Sequence, residues 1–277
     1  GFKDPEGKFV SGGSYANIAA IMTARNKINE DIKKKGIDGK RYVAFVSADA
    51  HYCFLKAANM IGIGTDNIIK IPVDDENKIN CKILEEKIIE QKEQGAIPFF
   101  IGITLGTTVK GAFDDIEKAY KVAKEHKMWL HGDGAYGGPV IFSKKYKYLV
   151  NSIENLDSLA IDFHKIIGAP LVSSAIIFND KKNTTKETFD IDSGGYIFHD
   201  HEHKQYDQGP NSLQCGRRVD ALKTWLIMLN LGYDGLEKRI DHLFDLANYC
   251  HDQVKNDDDF EIIFKPRFLN ICFRYLP

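Results

Sequence analysis

Two stretches decide how this chain is read: Met128-Trp-Leu-His-Gly-Asp-Gly-Ala-Tyr-Gly-Gly138 and Asp157-Ser-Leu-Ala-Ile-Asp-Phe-His-Lys-Ile-Ile-Gly-Ala-Pro170. In the first, an apolar strand-like run ends at Asp133 and gives way to Gly134 and Ala135. In the second, another apolar run ends at His164-Lys165, before Ile166-Ile167-Gly168. A lysine amine can form an imine with an aldehyde, and a carboxylate can hold a pyridine nitrogen protonated. The pair Asp133 and Lys165 therefore points to a Schiff-base site for pyridoxal phosphate. Taken singly, Asp133 reads equally well as the cap of the next turn, and His164-Lys165 as a surface pair. The apolar flanks of Lys165 predict partial desolvation, which lowers an ammonium pKa and frees the amine.

Outward from these stretches, strand-like runs alternate with helical patterns, the order of a mainly parallel α/β sheet. Strands are expected at Tyr42–Ser47, Ile68–Ile71, Pro98–Thr104, Met128–His131, Leu159–Ile161 and Ser174–Phe178. Helices are expected at Ser14–Lys35 as one long element, His51–Ile61, Cys81–Gln94, Asp114–His126, Val219–Leu231 and Leu236–Lys255. Asn179–Pro210 has neither period and reads as a mobile polar surface loop. The segment from Phe260 to Pro277 reads as a strand pair that closes on an apolar note. An unpartnered core strand there suggests that more of a C-terminal domain follows.

At 277 residues, with 43% hydrophobic and 27% charged residues, the chain can bury a large core and is ordinary for a soluble globular protein. A net charge of −2 gives no reason to expect nucleic acid, and Lys-rich patches such as Asp31–Gly36 read as solvated helix ends. No apolar run approaches a membrane span, and the opening GFKDPEGKF lacks signal-peptide character. The 5 cysteines are scattered without a Cys-x-x-Cys pair. That argues against a disulfide framework or a cysteine zinc site and fits a reducing, cytoplasmic location.

Other segments carry weaker signals. Gly12-Gly13-Ser14-Tyr15-Ala16-Asn17 opens the first long helix, where glycines let backbone N–H groups approach an anion; alone it reads as an ordinary capped helix. Gly62-Ile-Gly64 lacks the third glycine of a dinucleotide fingerprint. His51 starts a helix after a strand: its flat imidazole suits a cofactor ring, and it also suits a helix cap. Thr107 and Thr108 follow a strand, where hydroxyls commonly satisfy turn backbone. His199, His201 and His203 alternate; in an extended conformation their imidazoles share one face and would suit zinc, although such ligands need rigid support.

Six segments in register resemble the group II pyridoxal phosphate-dependent amino acid decarboxylases, over essentially the whole chain. They are GTDNIIKI from Gly64, GTTVKGAFD from Gly106, WLHGDGAYGG from Trp129, GYIF…KQYD from Gly195, SLQCGRRVDALKTWL from Ser212 and FLNICFRYLP from Phe268. Within that family the resemblance is to the glutamate and cysteine sulfinate decarboxylase branch. It implies an aspartate aminotransferase-like fold with a seven-stranded-type sheet, a homodimer, and pyridoxal 5'-phosphate as cofactor. It also implies a large domain over residues 1–255 and the start of a small domain over 256–277, with family segments absent at both ends. By resemblance, Lys165 carries the cofactor as an imine, and Asp133 pairs with the pyridine nitrogen. His51 stacks on the ring, Ala135 lies behind it and Thr108 beside it. Gly13, Ser14 and Tyr15 at the helix start, with His164, hold the phosphate. Tyr196, in the segment Gly194–Phe198, protonates the substrate carbon after CO2 leaves and so selects the product. Implied substrates are glutamate, aspartate or cysteine sulfinate; diaminobutyrate, an aromatic amino acid, an aldehyde-forming reaction and an inactive module are the alternatives. The chain departs from the glutamate-type pattern at Asp162-Phe163, where Asn-Pro is usual and diaminobutyrate-type relatives carry this dipeptide, and at Gly132, where Val is common.

Overall fold

In Tyr42–Ser47 every residue is buried, a strand with no solvent face. Such a run needs protein on both sides, and two apolar clusters supply it. Val43 and Phe45 point into one cluster; Tyr42, Ala44 and Val46 point into the other, the two-residue alternation of a pleated strand. Each large side chain fully removed from water there contributes about 1.5–3 kcal/mol.

The computed structural model describes residues 1–179, 184–191 and 195–277. In chain order the strands are β1 (Glu6–Val10), β2 (Tyr42–Ser47), β3 (Ile68–Ile71), β4 (Ile97–Thr104), β5 (Trp129–Asp133), β6 (Ser158–Asp162) and β7 (Ser174–Phe178), followed by β8 (Phe260–Ile262) and β9 (Phe273–Tyr275). The helices are α1 (Gly13–Ile28), α2 (Ile32–Lys35), α3 (Cys53–Met60), α4 (Cys81–Glu93), α5 (Ile116–His126), α6 (Thr184–Phe189) and α7 (Asp220–Lys255). One seven-stranded sheet runs β1-β7-β6-β5-β4-β2-β3, and β8 pairs with β9 separately. β7 is antiparallel to both its neighbours, while β2–β3, β2–β4, β4–β5 and β5–β6 are parallel pairs. The expected mainly parallel sheet flanked by helices is what forms. α1 and α3 cover one face; α4, α5 and α7 contribute to the cluster on the other.

Four details differ from the sequence reading. The single helix expected over Ser14–Lys35 breaks after Ile28. The Asn29 side chain accepts from Asp31 N–H at 3.1 Å and donates to the Tyr42 hydroxyl at 3.1 Å, a local alternative to helix bonding. The polar segment Asn179–Pro210 contains α6, whose Thr188 hydroxyl meets Thr23 of α1 at 3.0 Å; residues 180–183 and 192–194, including the quoted Gly194, lie outside the described residues. β1 was not expected. Its Glu-Gly-Lys start reads as loop, and its pairing with β7, Glu6 opposite Phe178 through Val10 opposite Ser174, makes it a strand. Lastly, α7 joins the two expected C-terminal helices through a kink at Gly232, where φ is 60° and ψ −177°.

Candidate active site

β1, β2, β4, β5 and β6 end at the same edge of the sheet, the edge where open α/β sheets place ligands. Just past those ends come Ser11–Ser14, Asp49 and His51, Gly106 and Thr108, Asp133 with Ala135, and Asp162 with His164 and Lys165. These side chains and backbones line one cavity of about 310 Å³. Of the residues singled out in the sequence, Gly13, Ser14, His51, Thr108, Asp133, Ala135, His164 and Lys165 all line it.

Asp133 is 5% exposed and closes β5. Burial pushes its carboxyl above the usual range, opposed by the Ala135 N–H at 3.1 Å, the Asn17 amide at 2.7 Å and the Lys165 charge. The Lys165 ammonium lies 3.0 Å from Asp162, three residues earlier in the turn that follows β6. The expected desolvation is not what the structure shows: the Lys165 side chain is 40% exposed and ion-paired, because the turn places its amine against a buried carboxylate. Asp162 also accepts from the Ser174 hydroxyl at 2.6 Å, and His164 Nε2 lies 3.7 Å away. On its other side the His164 ring is held at the Ser173 carbonyl, 2.8 Å from Nδ1.

At His51, Nδ1 accepts from Cys53 N–H at 3.2 Å and the ring lies 4.2 Å from that of Tyr52. Burial, aided by Lys165, pushes its imidazole below the usual value, so a neutral ring with its proton on Nε2 faces the cavity. α1 begins at Gly12, whose φ of 105° suits glycine, and the first helical bonds run from Tyr15 N–H and Ala16 N–H to Gly12 C=O. The N–H groups of Gly13 and Ser14 precede those bonds and mark an anion cradle.

Tyr15 and Tyr196 are not among the cavity residues. The Tyr15 hydroxyl accepts from Leu213 N–H at 2.9 Å, tying α1 to the segment before α7. Tyr196 is 80% exposed in a turn at the surface. The extended zinc geometry weighed for His199, His201 and His203 does not form: His201 Nε2 pairs with Asp207 at 3.1 Å and its Nδ1 accepts from His203 N–H, ahead of a helical turn over Lys204–Tyr206.

Comparison with known proteins matches residues 2–276 to the pyridoxal-dependent decarboxylase conserved domain. The chain belongs to that family. It is 37% identical over 280 residues to the mouse acidic amino acid decarboxylase GADL1, covering 100% of this chain and 51% of the relative. It is 37% identical over 282 residues to the human cysteine sulfinic acid decarboxylase, covering 100% and 57%. The crystal structure of mouse CSAD superposes with a TM-score of 0.94 at 36% identity, over 100% of this chain and 58% of the other. The glutamate decarboxylase domain of a diaminobutyrate-pyruvate transaminase and L-2,4-diaminobutyrate decarboxylase from Vibrio parahaemolyticus gives 0.85 at 28% identity, over 99% of this chain and 55% of the other. The chain thus spans about half the length of the curated relatives it matches, and these are acidic amino acid and cysteine sulfinic acid decarboxylases, the branch that the sequence resembles.

Among the cavity residues that the sequence reading did not single out are three polar ones. Asp162 had a signal, a carboxylate three positions before Lys165 in one turn. Asn17 follows Gly13 by four positions, one helical turn inside α1. Asp49, paired with Lys110 at 2.8 Å, had none beyond its closeness to His51.

Proposed function

We propose that the protein is a pyridoxal 5'-phosphate-dependent α-decarboxylase of a small acidic L-amino acid, glutamate, aspartate or cysteine sulfinate, giving the amine and CO2. The observation that carries this reading is the convergence of Lys165, Asp133, His51 and the α1 N-terminus on one cavity. The cofactor, when bound, supplies an aldehyde for amines and a protonated ring that withdraws electrons from the bond being broken. The cavity fits such a group: an amine, a buried carboxylate, a neutral flat imidazole and free helix N–H groups are what its aldehyde, ring nitrogen, ring face and phosphate need.

Lys165 provides the amine and Asp162 holds it in place. Asp133 would accept the ring N–H and keep the proton there. His51 would lie on the ring, with Ala135 and Thr108 bounding it, and Gly13, Ser14 and His164 would hold the phosphate. Tyr196 would deliver one proton to the reacting carbon. The acidic relatives support the substrate class; family resemblance supports a homodimer, and the dispersed free cysteines support a cytoplasmic setting.

The test adds pyridoxal phosphate to the protein and to Lys165→Ala, then treats both with borohydride. Covalent fixation of cofactor at Lys165 alone, with CO2 released from one of the three acids, is the expected result. No fixation in a folded protein, or preference for diaminobutyrate or an aromatic amino acid, would refute it, as would aldehyde and ammonia in place of amine.

A further inference from the structure

From Asp133 a line of polar side chains, buried except for the half-buried Trp129 at its far end, runs through α1 to β5 and β6. The Trp129 indole N–H donates to Ser158 Oγ at 2.8 Å. Ser158 Oγ lies 2.8 Å from His131 Nδ1, and His131 Nε2 lies 2.8 Å from Asn17 Oδ1. Asn17 Nδ2 donates to Asp133 Oδ2 at 2.7 Å. Ser158 and His131 are fully buried, Asn17 is 1% exposed, and of the four only Asn17 touches the cavity.

The two ends of this line fix its direction. An indole nitrogen can only donate, and a carboxylate can only accept. The Asp133 carboxylate takes one of the two Asn17 amide hydrogens, so Asn17 Oδ1 faces His131 Nε2 and needs its proton. A neutral His131 is then bare at Nδ1 and accepts the Ser158 hydroxyl proton, while Ser158 Oγ receives the Trp129 N–H on a lone pair. The second Asn17 amide hydrogen points at Cys53 Sγ, 3.1 Å away, so the amide orientation agrees at both of its nitrogen's contacts. Turning the amide over would set its oxygen against the carboxylate. It would also set an amide donor against His131 Nε2, move the ring proton to Nδ1 and aim both the His131 and Trp129 donors at Ser158 Oγ, whose own hydroxyl would lose His131 as acceptor. In a buried site each such loss costs about 1–3 kcal/mol.

We propose that Trp129, Ser158, His131 and Asn17 form a one-way donor chain whose task is to hold Asp133 as a carboxylate, with His131 locked as the neutral Nε2–H tautomer. These four are positioning residues; Asp133 is the group that meets the ligand. The chain deepens, and rests on, the cofactor assignment above, because a ring nitrogen stays protonated only beside a charged Asp133. It opposes the effect of burial, which pushes the Asp133 carboxyl up, while burial pushes His131 down to about 3 and so keeps it neutral. The other charges facing Asp133 are mixed: Lys165 favours the carboxylate and Asp162 disfavours it. Fixed dipoles in line, each strengthened by the next, supply what that balance lacks.

The experiment is nitrogen-15 NMR of histidine-labelled protein, with and without pyridoxal phosphate, the His131 signals being assigned by their loss in His131→Gln. From pH 5.5 to 9 the expected pattern is a neutral ring, protonated on Nε2 and bare on Nδ1. An Nδ1–H tautomer, or a doubly protonated ring anywhere in that range, overturns the proposal. In parallel, Ser158→Ala should weaken pyridoxal phosphate binding about tenfold, the low end of what losing an outer partner costs at metal sites. Ser158→Thr, which restores the hydroxyl, should bind within threefold of the parent. Unchanged binding by Ser158→Ala, or an equal loss in both variants, also overturns it. If the parent binds no pyridoxal phosphate, the functional reading falls while the tautomer result still decides the chain.

Discussion

Gly13→Ala sets two opposing effects against each other. Gly13 has no positive φ, so alanine can adopt its backbone, and alanine is favoured over glycine by up to about 1 kcal/mol in a helix interior and by less at a first turn. Against this, the new Cβ would stand 2.9 and 3.0 Å from the two Asp162 carboxylate oxygens and 3.0 Å from Ala135 Cβ. Carbon–carbon contacts prefer about 3.5–4.0 Å. Neither neighbour yields easily: Asp162 is clamped by Ser174 at 2.6 Å and Lys165 at 3.0 Å, and its N–H donates to Ala135 C=O at 3.2 Å. The steric cost is therefore expected to win, at about 1–3 kcal/mol. For a chain of this size that lowers Tm by about 2–4 °C per kcal/mol. Because the same atom crowds the anion cradle and pushes on the carboxylate that holds Lys165, pyridoxal phosphate affinity should fall at least about tenfold, or 1.4 kcal/mol. The assays are a thermal melt and a cofactor titration, with Gly216→Ala as control, since its Cβ meets nothing within 4 Å. A Gly13→Ala protein matching its parent in both would show that β1, α1 and β6 do not meet as described.

Three further outcomes are expected. Asp133→Asn keeps the shape of the side chain and removes its charge; a charged hydrogen bond contributes about 1.5–3 kcal/mol, so cofactor affinity should drop about 10–100-fold in the same titration, and undiminished binding would contradict the assigned role. His131, pushed by burial to about 3 in the fold, has an unfolded value of about 6.5. Acidification protonates it in the unfolded chain first, so its contribution to stability is full above pH 6.5 and is lost as pH falls towards 3. Between pH 7 and 5 that loss is about 2 kcal/mol, and urea unfolding of His131→Gln should show a correspondingly smaller drop than the parent. Gly232→Ala forces a β-carbon into a conformation, φ 60° and ψ −177°, that is nearly exclusive to glycine. It should cost about 1–3 kcal/mol in a thermal melt, with no change if α7 is straight there.

What could be read from the residues, and what could not, follows from how far apart the interacting groups lie in the chain. β2 and β4 are buried along almost their whole length, so their composition alone marks them as interior strands. Asp133 and Lys165 stand out because each interrupts an apolar run that physics requires to be continuous. β1 is invisible in the same terms: EGKFV becomes a strand only because β7 offers it an edge, and it leads straight into Gly12 and Gly13 beside Asp162 at the end of β6. Asn17 and His131 likewise look like filler in a helix and a strand until α1 crosses β5 and makes them partners.

Asp162 shows why this matters for charge. Read alone it is the polar end of a strand; in the fold it is a second buried carboxylate in a cavity assigned to a phosphate, beside the very glycine that opens the cradle. Its compensation is Lys165, 3.0 Å away, and an aldehyde that bound the amine would take that partner from it. The neighbours left to it are the Ser174 hydroxyl and His164, whose Nε2 lies 3.7 Å away. His164 therefore faces two claims at once, from the phosphate it is assigned to hold and from the carboxylate that Lys165 leaves. Its Nδ1 is engaged by the Ser173 backbone, 2.8 Å from the carbonyl and 3.1 Å from the N–H, so Nε2 is the ring nitrogen that faces Asp162. The dipeptide Asp162-Phe163, a departure from the glutamate-type pattern, is thus tied to the placement of the histidine that follows it.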